Sequence, residues 1–200
     1  MIQKCGAGAK KLSRILVLLV LLISPGYAEA QTCYFTRQSV NMKIENRLLL
    51  VSGMYFVNSQ DHQLSTVVFE LPNGNNYGTV DSLSVFDVNS NKDIDSTLME
   101  ESHILFTLDF REKEEYLIQV HYRIPLEGNI AEYPFSSNTT TKNKLQQATF
   151  YLIAPTDMKV KNFTYNPTDT IDAGSNVVYY WEMLDFKPTG NFAFRFKNSK

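Results

Sequence analysis

Residue types that usually carry chemistry are scarce in this chain of 200 residues, which has 2 cysteines, 1 tryptophan and 3 histidines. No Cys-x-x-Cys pair and no His-Glu-x-x-His pair occurs, so the usual zinc-binding spacings are missing. There is no Gly-x-Ser-x-Gly elbow, the commonest sequence sign of a serine hydrolase. No stretch sustains a 3.6-residue apolar period with caps at its ends, so helices are not expected. Internal repeats, Gly/Ser linkers and low-complexity tracts are missing too, and nothing divides the chain into several folded domains. Positive charge is not in excess: 19 Lys and Arg stand against 21 Asp and Glu, a net charge of −2. That balance leaves no electrostatic footprint for nucleic acid or for an anionic membrane.

Long apolar runs are few. The one of note, residues 15–23, is nine residues long, well short of the ~20 that a membrane-spanning helix needs. Lys4, Lys10, Lys11 and Arg14 precede it, and Pro25, Gly26 and Ala28-Glu29-Ala30 follow it. A basic segment, a short apolar core and a small-x-small step are the parts of a secretory signal peptide. Residues 1–30 are therefore predicted to be a cleaved leader, with a second cleavage position after Ala28, and residues 31–200 a single exported domain, periplasmic or extracellular. Cleavage removes four basic residues and one acidic residue and moves the net charge from −2 to −5. Cys5 leaves with the leader, so Cys33 has no second cysteine to bridge to, and an intramolecular disulfide is excluded. Cys33 then stands as a lipid-attachment site, an intermolecularly pairing thiol or a buried small side chain. The preceding Ala30-Gln31-Thr32 lacks the Leu and the small residue that introduce a lipidated cysteine.

What the chain has in abundance is period-2 alternation, from residue 39 onward. In 115–125, Tyr116, Ile118, Val120, Tyr122 and Ile124 fall on one side, and Leu117, Gln119, His121 and Arg123 on the other. Residues 104–110 alternate likewise, and the short charged link 111–114 predicts a hairpin between these two runs. Further strands are expected at 40–45, 48–57, 66–71, 82–88, 148–153, 159–165, 177–184 and 192–197. Residues 48–57 are apolar on both faces, the pattern of a central strand covered on both sides. Turn-forming clusters at 58–61, 72–76, 89–92 and 172–175 separate the runs. Nine or ten short strands at this spacing predict an all-β fold, an antiparallel β-sandwich. The longest loop is 127–144, in which Glu132-Tyr133-Pro134-Phe135 suits a short edge strand. Loops of that length commonly carry function, which makes Tyr133, Phe135 and Asn138 the candidate binding residues.

Two constellations bear on metals. Pairing Phe110 with Glu114 sets His103 opposite His121 on the outer side of the hairpin, with Cβ atoms ~5 Å apart. Two imidazoles begin a transition-metal site, but three or four ligands are wanted and no third is identifiable; the bland alternative is a pair of solvated side chains. The second constellation is Asp87, Asn89, Asn91 and Asp93, whose oxygens alternate as in calcium loops. Lys92 sits where the EF-hand turn needs glycine and Leu98 where it needs Glu, and the same residues form an ordinary hairpin turn. His62 lies in a polar turn, and no motif calls for a cofactor. Most aromatic residues fall on inward strand positions, where they are core. Tyr180 beside Trp181, with Tyr133 and Phe135, are the outward candidates for stacking on a sugar. Asn138-Thr139-Thr140 and Asn162-Phe163-Thr164 are sequons, usable in a eukaryotic secretory protein.

Residues 177–196 read VVYYWEMLDFKPTGNFAFRF, with Trp181, Phe186-Lys187-Pro188-Thr189 and a closing Phe-rich strand. This stretch resembles the end of a bacterial exported domain family of unknown function, whose members close on a Trp, an Asn-Phe-Lys-Pro-like turn and a final strand. Residues 53–58 and 148–153 resemble earlier strands of that family, while Asp185 stands where it usually has Asn. The resemblance implies an exported β-sandwich and carries over no catalytic residue. In the closing turn Pro188 presets the bend, Gly190 is free to take a positive φ, and Trp181 lies beneath as a core plug. The expected function is that of a non-enzymatic envelope or extracellular module meeting a protein or cell-envelope component. A carbohydrate-binding module is the alternative, and a metal-dependent hydrolase the third reading.

Overall fold

The computed structural model describes residues 33–135 and 144–198, all within one compact unit, residues 31–200. The expected leader and cleavage site, and Asn138, lie outside the described residues. The chain opens with a long hairpin: β1 (Cys33–Glu45) and β2 (Leu48–Ser59) pair antiparallel from Glu45↔Leu48 to Cys33↔Ser59, with one bulge at Thr36. Asn46 and Arg47 close it at φ 49° and 61°, the left-handed pair of a turn whose twist matches that of the strands. Arg47 secures the turn by donating to the carbonyls of Leu126 and Glu127, each at 2.8 Å.

The chain then passes between three sheets. β3 (Leu64–Glu70) leaves the first sheet, β4 (Ser82–Asp87) and β5 (Lys92–Asp93) return to it, and β6 (Ser96–Met99) and β7 (His103–Asp109) join β3. β8 (Glu115–Pro125) and β10 (Leu145–Pro155) belong to the first sheet, and β9 (Ile130–Tyr133) between them to a third. β11 (Met158–Lys161), β12 (Asp169–Ala173), β13 (Asn176–Phe186) and β14 (Phe192–Asn198) complete the order. The result is an eight-stranded sheet, β12-β13-β10-β1-β2-β8-β4-β5, and two three-stranded sheets, β3-β7-β6 and β11-β14-β9. There is no helix among the described residues, so none is long and apolar enough to cross a membrane. β5, β6 and β12 have no buried face, which is why alternation did not reveal them.

Two expectations are corrected. Pairing is not antiparallel throughout: β1 and β10 run parallel from Arg37↔Gln147 to Lys43↔Ile153. Parallel neighbours need a long crossover, and the excursions through the other two sheets supply it. The expected β7–β8 hairpin does not form either. β7 pairs with β3 and β6, and β8 with β2 and β4, so the charged link 111–114 crosses between sheets. Phe110 and Tyr116 meet edge to face at 5.0 Å, and Tyr116 Oη donates to the Asp109 carbonyl at 2.8 Å. Two strands with buried faces can pair side by side or face each other, and this ring contact ties their ends face to face.

Both small sheets pack on one face of the large sheet. Phe69 of β3 meets Tyr55 and Phe35 at 5.1 and 6.4 Å, while Phe192 of β14 meets Phe150 and Trp181 at 4.8 and 4.7 Å. Edge-to-face and offset ring pairs of this kind add to the area they bury. Trp181 is fully buried and donates its indole N–H to the Tyr165 carbonyl at 2.8 Å. The 187–191 turn is pinned by Tyr165, which donates to the Gly190 carbonyl and accepts from the Thr189 N–H, each at 3.1 Å. Pro188 is buried in this turn, and Gly190 is not among the positive-φ glycines, so its expected left-handed conformation is not adopted.

Candidate functional site

Strand register sets the outward residues of the large sheet in rows. One row runs Ser82, Arg123, Leu50, Lys43, Ile153, Val178, and the next Ser84, His121, Ser52, Asn41, Tyr151, Tyr180. A third holds Gln119, Met54, Ser39, Thr149 and Glu182. Every residue in these rows is exposed or half-buried, so this face carries no packed layer of described residues. β2 is therefore central in order yet covered on one side only: Val51 and Tyr55 are buried, while Met54 is 41% exposed. The expectation that 48–57 is covered on both sides is corrected accordingly.

A depression of about 330 Å³ opens on this face, and Asn41, Lys43, Leu50, Ser52, His121, Arg123 and Ile153 are among its lining residues. Arg123 Nε donates to Asp81 at 2.6 Å and Lys43 Nζ to Glu45 at 2.9 Å, and neither carboxylate lines the depression. Beside it the Tyr151 and Tyr180 rings lie 5.0 Å apart at 38°. The Tyr180 hydroxyl titrates above its ordinary range, through partial desolvation and the neighbouring Glu182 carboxylate. Arg37 lies 3.6 Å over the Phe56 ring and pairs with Glu115 at 3.2 Å.

Of the residues singled out from the sequence, His121 lines this depression and Tyr180 lies beside it; the others fall elsewhere. Tyr133 and Phe135 are 2% and 4% exposed, packed on Phe150 at 5.7 and 5.8 Å, so they are core and not a binding loop. Residues 130–133 are strand β9, while 136–143 lie outside the described residues. His103 and His121 stand on different sheets, opposite Glu70 and Ser52, so the paired-imidazole site is withdrawn. Asp87 is committed to its turn. Its carboxylate accepts from Asn89 N at 2.9 Å, Ser90 Oγ at 2.7 Å and Lys113 Nζ at 3.3 Å. Burial alone would raise the pKa of Asp87, but the bonds from Ser90, Lys113 and Asn89 outweigh it and hold the carboxyl below its usual range. With Asn91 at φ 55° and Asp93 paired in β5, 87–93 is a hairpin turn and not a calcium loop. Cys33 is 2% exposed at the start of β1, so its thiol would have to leave the core to carry a lipid. Asn162 is exposed.

Two polar clefts share Pro72 and Asn73. Glu100, Glu101, Glu127 and Tyr77 line one of about 370 Å³, and Glu70, Ser102, His103 and Glu132 line one of about 100 Å³. Ser102 Oγ lies 2.8 Å from His103 Nδ1, a contact between chain neighbours where the β6–β7 hairpin closes. Among the described residues no three His, Cys, Asp or Glu side chains are placed to hold a metal ion.

Several solved structures share the architecture. A protein of Legionella pneumophila described as a "putative nutrient binding protein" superposes with a TM-score of 0.60 over 82% of this chain and 67% of its own, at 10% identity. The likeness is one of fold. An M1 zinc metallopeptidase from Deinococcus radiodurans gives a TM-score of 0.54 at 8% identity over 82% of this chain. Its E323A mutant gives 0.55 at 8% identity, again over 82% of this chain. This chain spans 42% of the length of each of these two peptidase chains. No protein-family model matches the sequence, and no curated protein matches it.

In the sequence, the outer-face residues carry the same apolar signal as buried ones. Leu50, Met54 and Phe56 on the second face of β2 do mark a central strand, but whether that face has a cover depends on tertiary packing. Lys43, Asn41 and Tyr151 come to one place only through the parallel β1–β10 register, which no local pattern encodes.

Proposed function

We propose that the chain is an exported, non-enzymatic interaction module: a β-sandwich behind a cleaved leader that meets a protein or cell-envelope partner on the outer face of its large sheet. The observation that carries this reading is the outer side of β2, where Leu50 is half-buried and Met54 41% exposed, on a sheet face that also shows Ile171 of β12 and Leu184 of β13 at 51% and 69%. Exposed apolar surface grouped on one side of a protein marks interaction surfaces more often than scattered apolar residues do. The leader pattern and the resemblance to an exported family support the address. The binding role that its title gives the Legionella neighbour is in keeping with a module of this kind. In the metallopeptidases a fold like this one is less than half of a longer chain, which suits a surface that works against another partner. The binding surface moves from residues 127–144 to the sheet, because Tyr133 and Phe135 are core.

A photoreactive residue placed at Met54 should crosslink the partner in the intact envelope, and one at Leu64, exposed on β3, should not. Equal products from both positions, or none from Met54, would count against this face. The carbohydrate reading is kept second because Tyr151 and Tyr180 present neighbouring rings beside Asn41 and Glu182. Retardation in a polysaccharide-containing gel that Tyr180→Ala abolishes would favour it, and mobility unaffected by such gels would remove it.

A further inference from the structure

The side chains that line the depression on the outer face include cations and no carboxylate, although Asp81 and Glu45 pair with two of those cations from outside the lining. The chain carries a net charge of −2, yet Lys43, His121 and Arg123 line this depression and no Asp or Glu does. In contrast, Glu100, Glu101 and Glu127 all line the large polar cleft. Arg123, Leu50, Lys43 and Ile153 are consecutive partners across β8, β2, β1 and β10, so cationic and apolar side chains alternate along one row. Strands lie ~4.8 Å apart, which puts the backbone positions of the two cations about 10 Å apart with Leu50 between them. Long basic side chains can lay their stems over such an apolar neighbour and bring both charges to one ligand.

We propose that this depression binds a small amphiphilic carboxylate, its charge held by Arg123 and Lys43 and its apolar body lying on Leu50 and Ile153. The proposal rests on the outer face being a binding surface and names the class of ligand that this surface takes. Arg123 uses its Nε on Asp81, which orients the guanidinium and leaves its terminal nitrogens as a fork suited to a carboxylate. Lys43 has one of its three donors on Glu45 and keeps two. Asp81 and Glu45 already offset part of the positive charge, so a monoanion is matched better than a polyphosphate. Asn41, Ser52 and His121 line the same space and offer further hydrogen bonds to the head group. A volume of about 330 Å³ falls at the small end of the roughly 300–1,000 Å³ range of small-molecule sites.

The test is a titration of the purified, methyl-labelled chain with octanoate, with octanol and acetate as separate arms, read by NMR. Octanoate should move the Leu50 and Ile153 methyl signals along a saturating curve, and octanol and acetate should bind at least tenfold more weakly. Arg123→Gln and Lys43→Gln should each weaken octanoate at least tenfold while the signals of buried Ile104 and Leu152 stay in place, which reports an intact fold. Octanol acting as strongly as octanoate, or octanoate leaving Leu50 and Ile153 unmoved, overturns the proposal. If octanoate fails while the Met54 crosslink persists, the ligand class falls and the interaction surface stands. If the crosslink also fails, the surface itself is refuted.

Discussion

Tyr133 donates its phenolic hydrogen to the Tyr55 hydroxyl at 3.1 Å, between two fully buried side chains on facing sheets. Tyr55 also packs its ring on Phe69, so it sits where both small sheets meet the large one. A buried hydroxyl left without a partner costs about 1–3 kcal/mol, whereas removing both members of a pair is close to neutral. Tyr133→Phe should therefore destabilise by about 1–3 kcal/mol, and adding Tyr55→Phe should recover much of the loss. Urea unfolding of the two single variants and the double variant gives the coupling directly.

Alkali should unfold this protein in a recognisable way. Desolvation raises the pKa of Tyr55, Tyr77, Tyr122 and Tyr133 above the model-peptide value of 10.0. A phenol whose folded pKa is raised contributes its full stability below the unfolded value, and that stability is lost as pH climbs above it towards the folded value. Stability should hold up to about pH 10 and fall beyond it. Tyrosinate absorbance for these four rings should appear only together with unfolding, read by far-ultraviolet circular dichroism.

Most of the inner half of this molecule was legible in its sequence. Ile118, Val120, Tyr122, Phe192 and Phe194 carry a strict two-residue period, and each is buried. Strand neighbours were not legible, because a buried face says which way a strand looks and not what it pairs with. His103 and His121 show the cost of that gap: one assumed register joined them, and the real one puts them on separate sheets. Pro134 marked a sheet edge, and β9 before it does lie at the edge of its sheet; that an edge strand turns Tyr133 into the core, with Phe135 after it, was not legible.

The Asp87 turn predicts indifference to calcium. Its carboxylate oxygens are already engaged by Ser90, Asn89 and Lys113. Melting curves should coincide with chelator and with millimolar calcium. Asp87→Ala, which removes the turn's acceptors, should cost about 1–2 kcal/mol.

The β6–β7 hairpin carries two glutamates in a conformation that suits neither. Glu100 and Glu101 have φ of 49° and 55°, and Ser102 N–H donates to the Met99 carbonyl at 3.1 Å to close the turn. Left-handed backbone costs ordinary residues roughly 1–2 kcal/mol each, and Asn-Gly is the pair such turns favour. The replacement Glu100→Asn with Glu101→Gly should raise stability by about 1–2 kcal/mol, as an upward shift of the urea midpoint with an unchanged slope.

Two methionines allow the binding face to be tested inside the cell. Met54 on the outer face and Met99 on β6 are 41% and 44% exposed, so in the purified chain they should oxidise at similar rates. Oxidative footprinting of the intact envelope, read by mass spectrometry, compares them within one molecule. A partner on the large sheet predicts that Met54 is protected in the envelope while Met99 oxidises as it does in the purified chain. Met54 oxidised as fast as Met99 in the envelope would contradict the assignment of that face.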